Sequence, residues 1–294
     1  MGQLGGEVCV RRDARAELRS VMSQPWESLL YRCLLRVRPA QLGDLVKKCL
    51  MIRRRYTRCE GATFWIDPVS VFGIALLENG MYEPGLTGIL RAVLRPGDVF
   101  LDAGANEGYF SILAAALVGD TGAVYCIEPQ TRLQVVIREN VYRNNASGVR
   151  ICQVALAERD EQLVRLFLRP STNTGASSLY RHWRVGWSSE LVETITVDTF
   201  LRLHGVSRVR LLKVDCEGAE AAIVRGATEA LCRRAIDFIA MDYHAVISGA
   251  ESCRETHELL GRFGYVGARP GGIAVYHPMG LSASWGGDGK CGID

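Results

Sequence analysis

A chain of 294 residues, 48% of them apolar, is long enough to bury a sizeable core as one large domain or a domain with an extension, which excludes disordered and fibrous classes. Thirty-five basic and 32 acidic side chains leave a net charge of +3, too weak a field to draw in a polyanion, so no nucleic-acid partner is expected. No apolar run approaches the roughly 20 residues that cross a bilayer, and the opening MGQLGGEVCVRRDARAEL lacks the basic-then-apolar order of a secretory signal, so the expectation is a cytoplasmic protein.

In chain order, residues 1–60 read as a helical, basic extension. SLLYRCLLRV and GDLVKKCLMIRRRY place apolar pairs and basic side chains at helical spacing, either as a solvated face packed on the main domain or as a surface for anionic or lipid-like partners. Residues 61–280 are expected to form the main domain and 281–294 a loose tail. From Arg95 onward strands and helices alternate in the βαβ pattern of a parallel sheet. DVFLDAG is a strand, NEGYFSILAAALVG a helix stopping at Gly119, AVYCIEP a strand closed by Pro129, and TRLQVVIRENVYRNN a helix with Thr131 as its N-cap. VRICQVAL is the third strand. The alternation then breaks over residues 158–200, where LVRLFLRP, the loop STNTGASS and ETITVDTFL read as an inserted hairpin and loop. It resumes with VRLLKVDCEG, one helix from Ala219 to Leu231, the strand DFIAMDYH, the helix CRETHELLGRFG and two final strands at YVGARP and IAVYHP. Ten cysteines occur without CxxC pairs, and Cys126, Cys152 and Cys216 sit in strand-like runs, so buried reduced thiols are expected rather than bridges or a zinc site.

The first strand runs into Gly104-Ala105-Asn106-Glu107-Gly108 and then a helix, so a glycine turn sits at the carboxyl edge of the sheet, where open α/β folds bind ligands. Asn106 stands where a dinucleotide fingerprint has its second glycine, and an unpaired Asp102 beside two phosphates would repel them. The carboxylate suits instead a cationic ligand without phosphate, such as the amino-acid end and sulfonium of S-adenosylmethionine. Glu128, about 20 residues past the glycines, is placed to accept hydrogen bonds from ribose hydroxyls.

Together VFLDAGANEGYFSILAA, AVYCIEP, NTGASSL and LLKVDCEGAEAAIVRGA resemble the FkbM family of class I methyltransferases over roughly residues 80–280. The resemblance implies an α/β, Rossmann-like fold with seven mainly parallel strands, a reversed last strand and flanking helices. It also implies S-adenosylmethionine as donor and O-methylation of a sugar, glycolipid or polyketide hydroxyl. Carried over, it gives the methionine part of the donor to Asp102, Gly104, Ala105, Asn106 and Gly108, and the ribose to Glu128, with Pro129 and Ala155 beside it. Tyr82 and Glu83, in GMYEPG, match a segment that closes over the donor. Asp242 stands where the family commonly has a Glu.

For transfer to a hydroxyl, a base must reach the acceptor oxygen. Side chains ending the later strands are the candidates: Asp215 and Glu217 in VDCEGAE, and His244 in MDYH, whose ordinary pKa lies near neutrality. Asp215 and Glu217 have three readings: binding acceptor hydroxyls, holding a Mg²⁺ that no spacing demands, or capping the next helix. Asn173, Ser177 and Ser178 offer a polar lid, and His182, Trp183 and Trp187 a stacking surface. A non-catalytic binding module and an N-methyltransferase are the alternatives.

Overall fold

The computed structural model describes residues 25–38, 40–180, 188–243, 245–270 and 273–281. The chain opens with helices α1 (Pro25–Arg36) and α2 (Ala40–Cys49). The last residues of the stretch expected to be helical instead form a strand, β1 (Arg55–Cys59), paired antiparallel with β2 (Ala62–Ile66). The reason is local. Thr57 and Cys59 are buried while Tyr56 and Arg58 are exposed, the period-two pattern of a half-buried strand. Glu60 (φ 53°) and Gly61 (φ 80°) close the hairpin with positive φ at both turn positions, which matches strand twist.

Helices α3 (Val71–Asn79) and α4 (Pro84–Val93) lead into the sheet. Two parallel units follow: β3 (Val99–Ala103), α5 (Tyr109–Val118), β4 (Ala123–Ile127), α6 (Thr131–Arg143) and β5 (Val149–Cys152). Helix α5 stops at Gly119 as expected, but Gln130 rather than Thr131 occupies the N-cap of α6. The inserted region forms its own three-stranded sheet of β6 (Ala155–Leu156), β7 (Leu163–Leu168) and β8 (Ser188–Ile195), with a 3₁₀ helix over Ser171–Ala176.

After α7 (Val197–Leu203) and β9 (Val209–Val214), the single helix expected over 219–231 is two, α8 (Glu220–Arg225) and α9 (Thr228–Cys232). A Cβ on Gly226, between the two helices, would strike the carbonyl oxygen of Ala157, so the position takes glycine. Asp198 then restarts the helix by accepting the N–H groups of Glu229 and Ala230, both at 2.8 Å. Strand β10 (Ile236–Met241), helix α10 (Ala245–Arg262) and strands β11 (Tyr265–Ala268) and β12 (Ala274–Pro278) complete the fold.

The main sheet has the order β11-β12-β10-β9-β3-β4-β5, parallel except for β12, which runs against both neighbours. Helices cover both faces. Phe100, Leu211 and Phe238 enter one core with Phe64, Leu90 and Phe110, while Leu101, Leu212 and Ile239 enter the other with Phe200, Ile223 and Leu260. Covered on both sides, the central strands are near-continuous apolar runs. Strand order reverses between β3 and β9, which opens a crevice at their carboxyl ends. Among the described residues no helix is long and apolar enough to cross a membrane. The described cysteines are all free, with Cys126 buried and Cys152 and Cys216 partly so.

Residues before the sheet are built into it. Tyr31 and Leu34 of α1 pack on Val69 and Ile74. Arg54 forms a two-pronged pair with Glu107 of the glycine turn, 2.8 Å in each arm, and donates to the Trp65 carbonyl. Glu107 has no exposed side-chain surface, so removing its cation leaves a buried charge. Arg54→Met is expected to cost about 3–5 kcal/mol in denaturant unfolding. Exposed Arg58→Met on the same hairpin serves as control and should stay within about 0.5 kcal/mol.

Candidate active site

Strand β3 delivers its last residues to the crevice at the switch point, and the turn after it is shaped by two contacts. Gly104 has φ +76°, and a Cβ there would collide with the carbonyl oxygen of Asp215, so only glycine lets the β3 and β9 ends meet. The N–H groups of Gly104 and Ala105 both donate to the Ile127 carbonyl, at 3.0 and 3.1 Å. Asn106, itself at φ 50°, donates its N–H to Glu128 Oε2 at 2.8 Å, while Gln130 donates to Oε1 at 2.9 Å. Burial pushes the Glu128 carboxyl up to about 7 although two backbone donors favour its charge.

The pocket beside this turn is walled by Gly104, Ala105, Asn106, Glu128, Pro129 and Ala155, all expected at a donor site. Two residues of that expectation lie elsewhere. Gly108 does not line the pocket; it starts α5 at φ 82°. Asp102 is fully buried behind the wall and is not the unpaired carboxylate the sequence suggested. Lys213 Nζ sits 3.1 Å from its Oδ1 as an ion pair, not as an aligned hydrogen bond, and Ser111 Oγ donates to Oδ2 at 2.7 Å. The partner comes from β9, adjacent in space but 111 positions along the chain, so no local pattern shows it.

Lys213 is the functional side chain missed in the sequence. It lines the pocket, is almost fully buried, donates to the Gly104 carbonyl at 2.9 Å and lies 3.5 Å from Asp215 Oδ2. Burial alone would lower its pKa, but Asp102, Asp215 and Glu83 outweigh that and hold the ammonium above the ordinary lysine value. The available signal was a lysine among the apolar residues at the end of VRLLKV, in a strand covered on both faces.

On the other side stand Tyr82, Glu83, Asp215, Glu217 and Asp242. Glu83 begins α4 in a left-handed conformation (φ 42°, ψ 75°), and its Oε2 is buried without a hydrogen-bond partner. Burial, with Asp215 nearby, pushes its carboxyl up to about 7 against the pull of Lys213 and Tyr82. Glu217 also has positive φ, 48°, and its carbonyl accepts Ser178 Oγ at 2.6 Å. Helix α8 starts with Ala219 at its N-cap and no side-chain cap, and the Gly218 N–H just before it donates to Glu220 Oε1 at 3.0 Å.

The inserted region forms the roof with Asn173, Gly175, Ser177 and Leu179. Thr174 Oγ1 donates to Asn106 Oδ1 at 2.8 Å, and Gln130 Nε2 donates to the Thr174 carbonyl at 3.2 Å, latching roof to turn. His244, expected as a base, and His182, Trp183 and Trp187 lie outside the described residues. Among the described residues no group of three or more His, Cys, Asp and Glu side chains is arranged to hold a metal, so the magnesium reading of Asp215 and Glu217 finds no support.

The described residues lining the pocket include six carboxylates, Glu83, Glu107, Glu128, Asp215, Glu217 and Asp242, against Lys213 as the one cation. Such a pocket repels a diphosphate and accepts a cation. Its orphaned Glu83 Oε2 and paired Glu128 oxygens fit the ammonium and the ribose hydroxyls of a nucleoside that carries a free amino acid. With the sheet order and the reversed β12, this defines an S-adenosylmethionine-dependent methyltransferase of the class I fold. The Methyltransferase FkbM domain matches residues 102–266, more than half of the chain, and the chain belongs to that family. It is 24% identical over 203 residues, 63% of this chain and 80% of the relative, to the 2-O-methyltransferase NoeI of Sinorhizobium fredii. A shorter stretch of 68 residues, 22% of this chain and 26% of the relative, is 40% identical to protein-L-isoaspartate O-methyltransferase of Aeropyrum pernix. Among solved structures, Aeropyrum pernix fibrillarin with natively bound S-adenosyl-L-methionine aligns at a TM-score of 0.39 and 16% identity, covering 76% of this chain and 82% of that one.

Removing the Lys213 ammonium strands the buried Asp102 charge. Lys213→Met is expected to cost about 3–5 kcal/mol in denaturant unfolding, and Asp102→Asn added to it to recover part of that loss, a coupling a double-mutant cycle reads directly.

Proposed function

We propose that the chain methylates a hydroxyl of a sugar, glycolipid or polyketide-type acceptor, a small molecule or lipid-linked one. The observation that carries the reading is the carboxylate-lined pocket at the β3–β9 switch point, with one buried lysine as its cation. The likeness to a relative named as a 2-O-methyltransferase supports transfer to an oxygen.

In this reading the turn Gly104, Ala105 and Asn106, with Glu83, holds the methionine part of the donor. Glu128, beside Pro129 and Ala155, holds the ribose. When bound, S-adenosylmethionine supplies an electrophilic methyl on a sulfonium. Glu83 Oε2, buried and without a partner, takes the ammonium. Asp215, 3.5 Å from Lys213 Nζ, stands on the acceptor side, where it accepts the hydroxyl's hydrogen bond and then its proton, with Glu217 orienting the acceptor. The roof residues Asn173 and Ser177 exclude water and position the polyol.

Calorimetric titration with S-adenosylmethionine, S-adenosylhomocysteine and NAD tests the donor half. Both adenosyl ligands should bind and NAD should not; binding of NAD alone would overturn the reading. Transfer of labelled methyl to a panel of glycosides tests the acceptor half. Asp215→Asn should lower turnover by roughly 100-fold or more with donor affinity nearly unchanged. Turnover confined to amine acceptors would replace O-methylation by N-methylation.

The pH dependence follows from Glu83 and Glu128, whose carboxyls stand near 7 in the free protein. Both are raised above the ordinary range, so the free protein holds these protons up to neutrality and a cationic donor must displace them. Affinity for S-adenosylmethionine should therefore rise roughly tenfold between about pH 5.5 and pH 7, with proton release, and Glu83→Gln should flatten the rise.

A further inference from the structure

Helices α1 and α2 each bury one face and expose a second that is apolar. On α1 the outward stripe is Trp26, Leu29 and Cys33, and on α2 it is Leu42, Leu45 and Cys49, both at i, i+3, i+7 spacing. Leu50 and Met51 extend it at the end of α2, with Met51 76% exposed. The inward faces are accounted for. Tyr31 and Leu34 pack on Val69 and Ile74, a Cβ on Gly43 would touch the Leu34 carbonyl at 3.0 Å, and Lys47 pairs with Asp67 at 2.5 Å.

Charge says what the outward face meets. Residues 25–55 hold eight basic and two acidic side chains, net +6, while the whole chain is net +3, so the remainder carries −3. Some of those cations are spoken for: Arg32 pairs with Glu78, Arg54 with Glu107 and Arg55 with Glu27. Arg36, Lys48 and Arg53 are exposed around the stripes. An apolar band edged by lysine and arginine on a pair of helices matches an anionic bilayer surface, where apolar side chains enter the headgroup boundary and cations meet lipid phosphates.

The same hairpin touches the roof of the pocket. Lys47 Nζ donates to Ser171 Oγ, and Ser171 in turn donates from its hydroxyl to Asp44 at 2.7 Å and from its N–H at 3.2 Å. Ser171 begins the 3₁₀ helix whose Asn173 and Gly175 line the pocket.

We propose that the outward face of α1 and α2 docks on an anionic lipid bilayer and holds the roof of the pocket at that surface, so that the acceptor is presented from the membrane. The acceptor half of this statement rests on the methyl-transfer reading; the docking half does not.

The experiment is flotation of the full chain with phosphatidylcholine vesicles, with and without phosphatidylglycerol, alongside donor titration and light scattering on the same samples. The full chain should float with the anionic vesicles only, and less as salt is raised. Leu29→Glu/Leu45→Glu and Arg36→Glu/Lys48→Glu should each weaken vesicle binding by roughly tenfold or more while leaving S-adenosylmethionine affinity unchanged. No flotation of the full chain, or equal flotation of the Leu29→Glu/Leu45→Glu variant, overturns the proposal. Loss of self-association by that variant without any lipid effect also overturns it and gives the face to a second copy. Donor titration reads the pocket independently, so docking can fail while the methyltransferase reading stands, and the reverse.

Discussion

A lysine in the middle of a sheet covered on both faces must be paired or it unfolds the sheet, and Lys213 is paired three ways. Asp102 from β3, Asp215 from the end of its own strand and the Gly104 carbonyl surround it. Those groups lie on the two strands between which the sheet order reverses, so the ammonium joins the halves of the fold where the crevice opens. Ser111 takes the other oxygen of Asp102 and ties in the first turn of α5. One buried cation thus sets the strand ends, the turn and the helix start against each other. The apolar rest of β9, Leu211, Leu212 and Val214, supplies the burial that makes the pairing obligatory.

The region ahead of the family match supports the same turn from the opposite side. Asn140 of α6 is fully buried, donates to the Glu107 carbonyl at 2.8 Å and accepts the Trp65 N–H at 2.7 Å. Asn144, one helical turn on, pairs with both backbone groups of Thr63, at 2.8 and 2.7 Å. The β1–β2 hairpin is therefore fastened to α6 along its length, and Arg54 reaches from beside it to the Glu107 side chain. The turn is held by Lys213 beneath and by Arg54 and Asn140 above. Neither support belongs to the glycine motif itself.

What the sequence made legible follows from how local the cause is. Strand, turn and helix around Gly104, the position of Glu128 and the seven strands in order all rest on period, glycine placement and spacing within about 30 residues. That Asp102 is paired was not legible because its partner arrives from β9, and the same distance concealed Lys213. The need for glycine at 226 comes from the Ala157 carbonyl, 69 positions earlier in the chain. The β1 strand was hidden in a run of arginines whose charge looked helical, though Tyr56, Thr57, Arg58 and Cys59 alternate in burial. Tertiary contact, in each case, outweighed a local pattern.

The pocket divides into a part fixed by backbone and a part built from side chains on inserted structure. The turn side is held by carbonyls, amides and the buried Glu128, which leaves little freedom. The roof is a 3₁₀ helix carrying Asn173 and Gly175, followed by Ser177, and it is fastened through Thr174 to Asn106 and Gln130, through Ser177 to Gln130 and through Ser171 to Asp44 and Lys47. Asn106 belongs to both parts, because its N–H is held by Glu128 while its side chain receives Thr174. Glu128 thus holds the backbone of Asn106, and the roof holds its side chain. The turn side and the roof side consequently meet in one residue, with its backbone at φ 50°, and losing either of its two bonds frees one part of the pocket from Asn106.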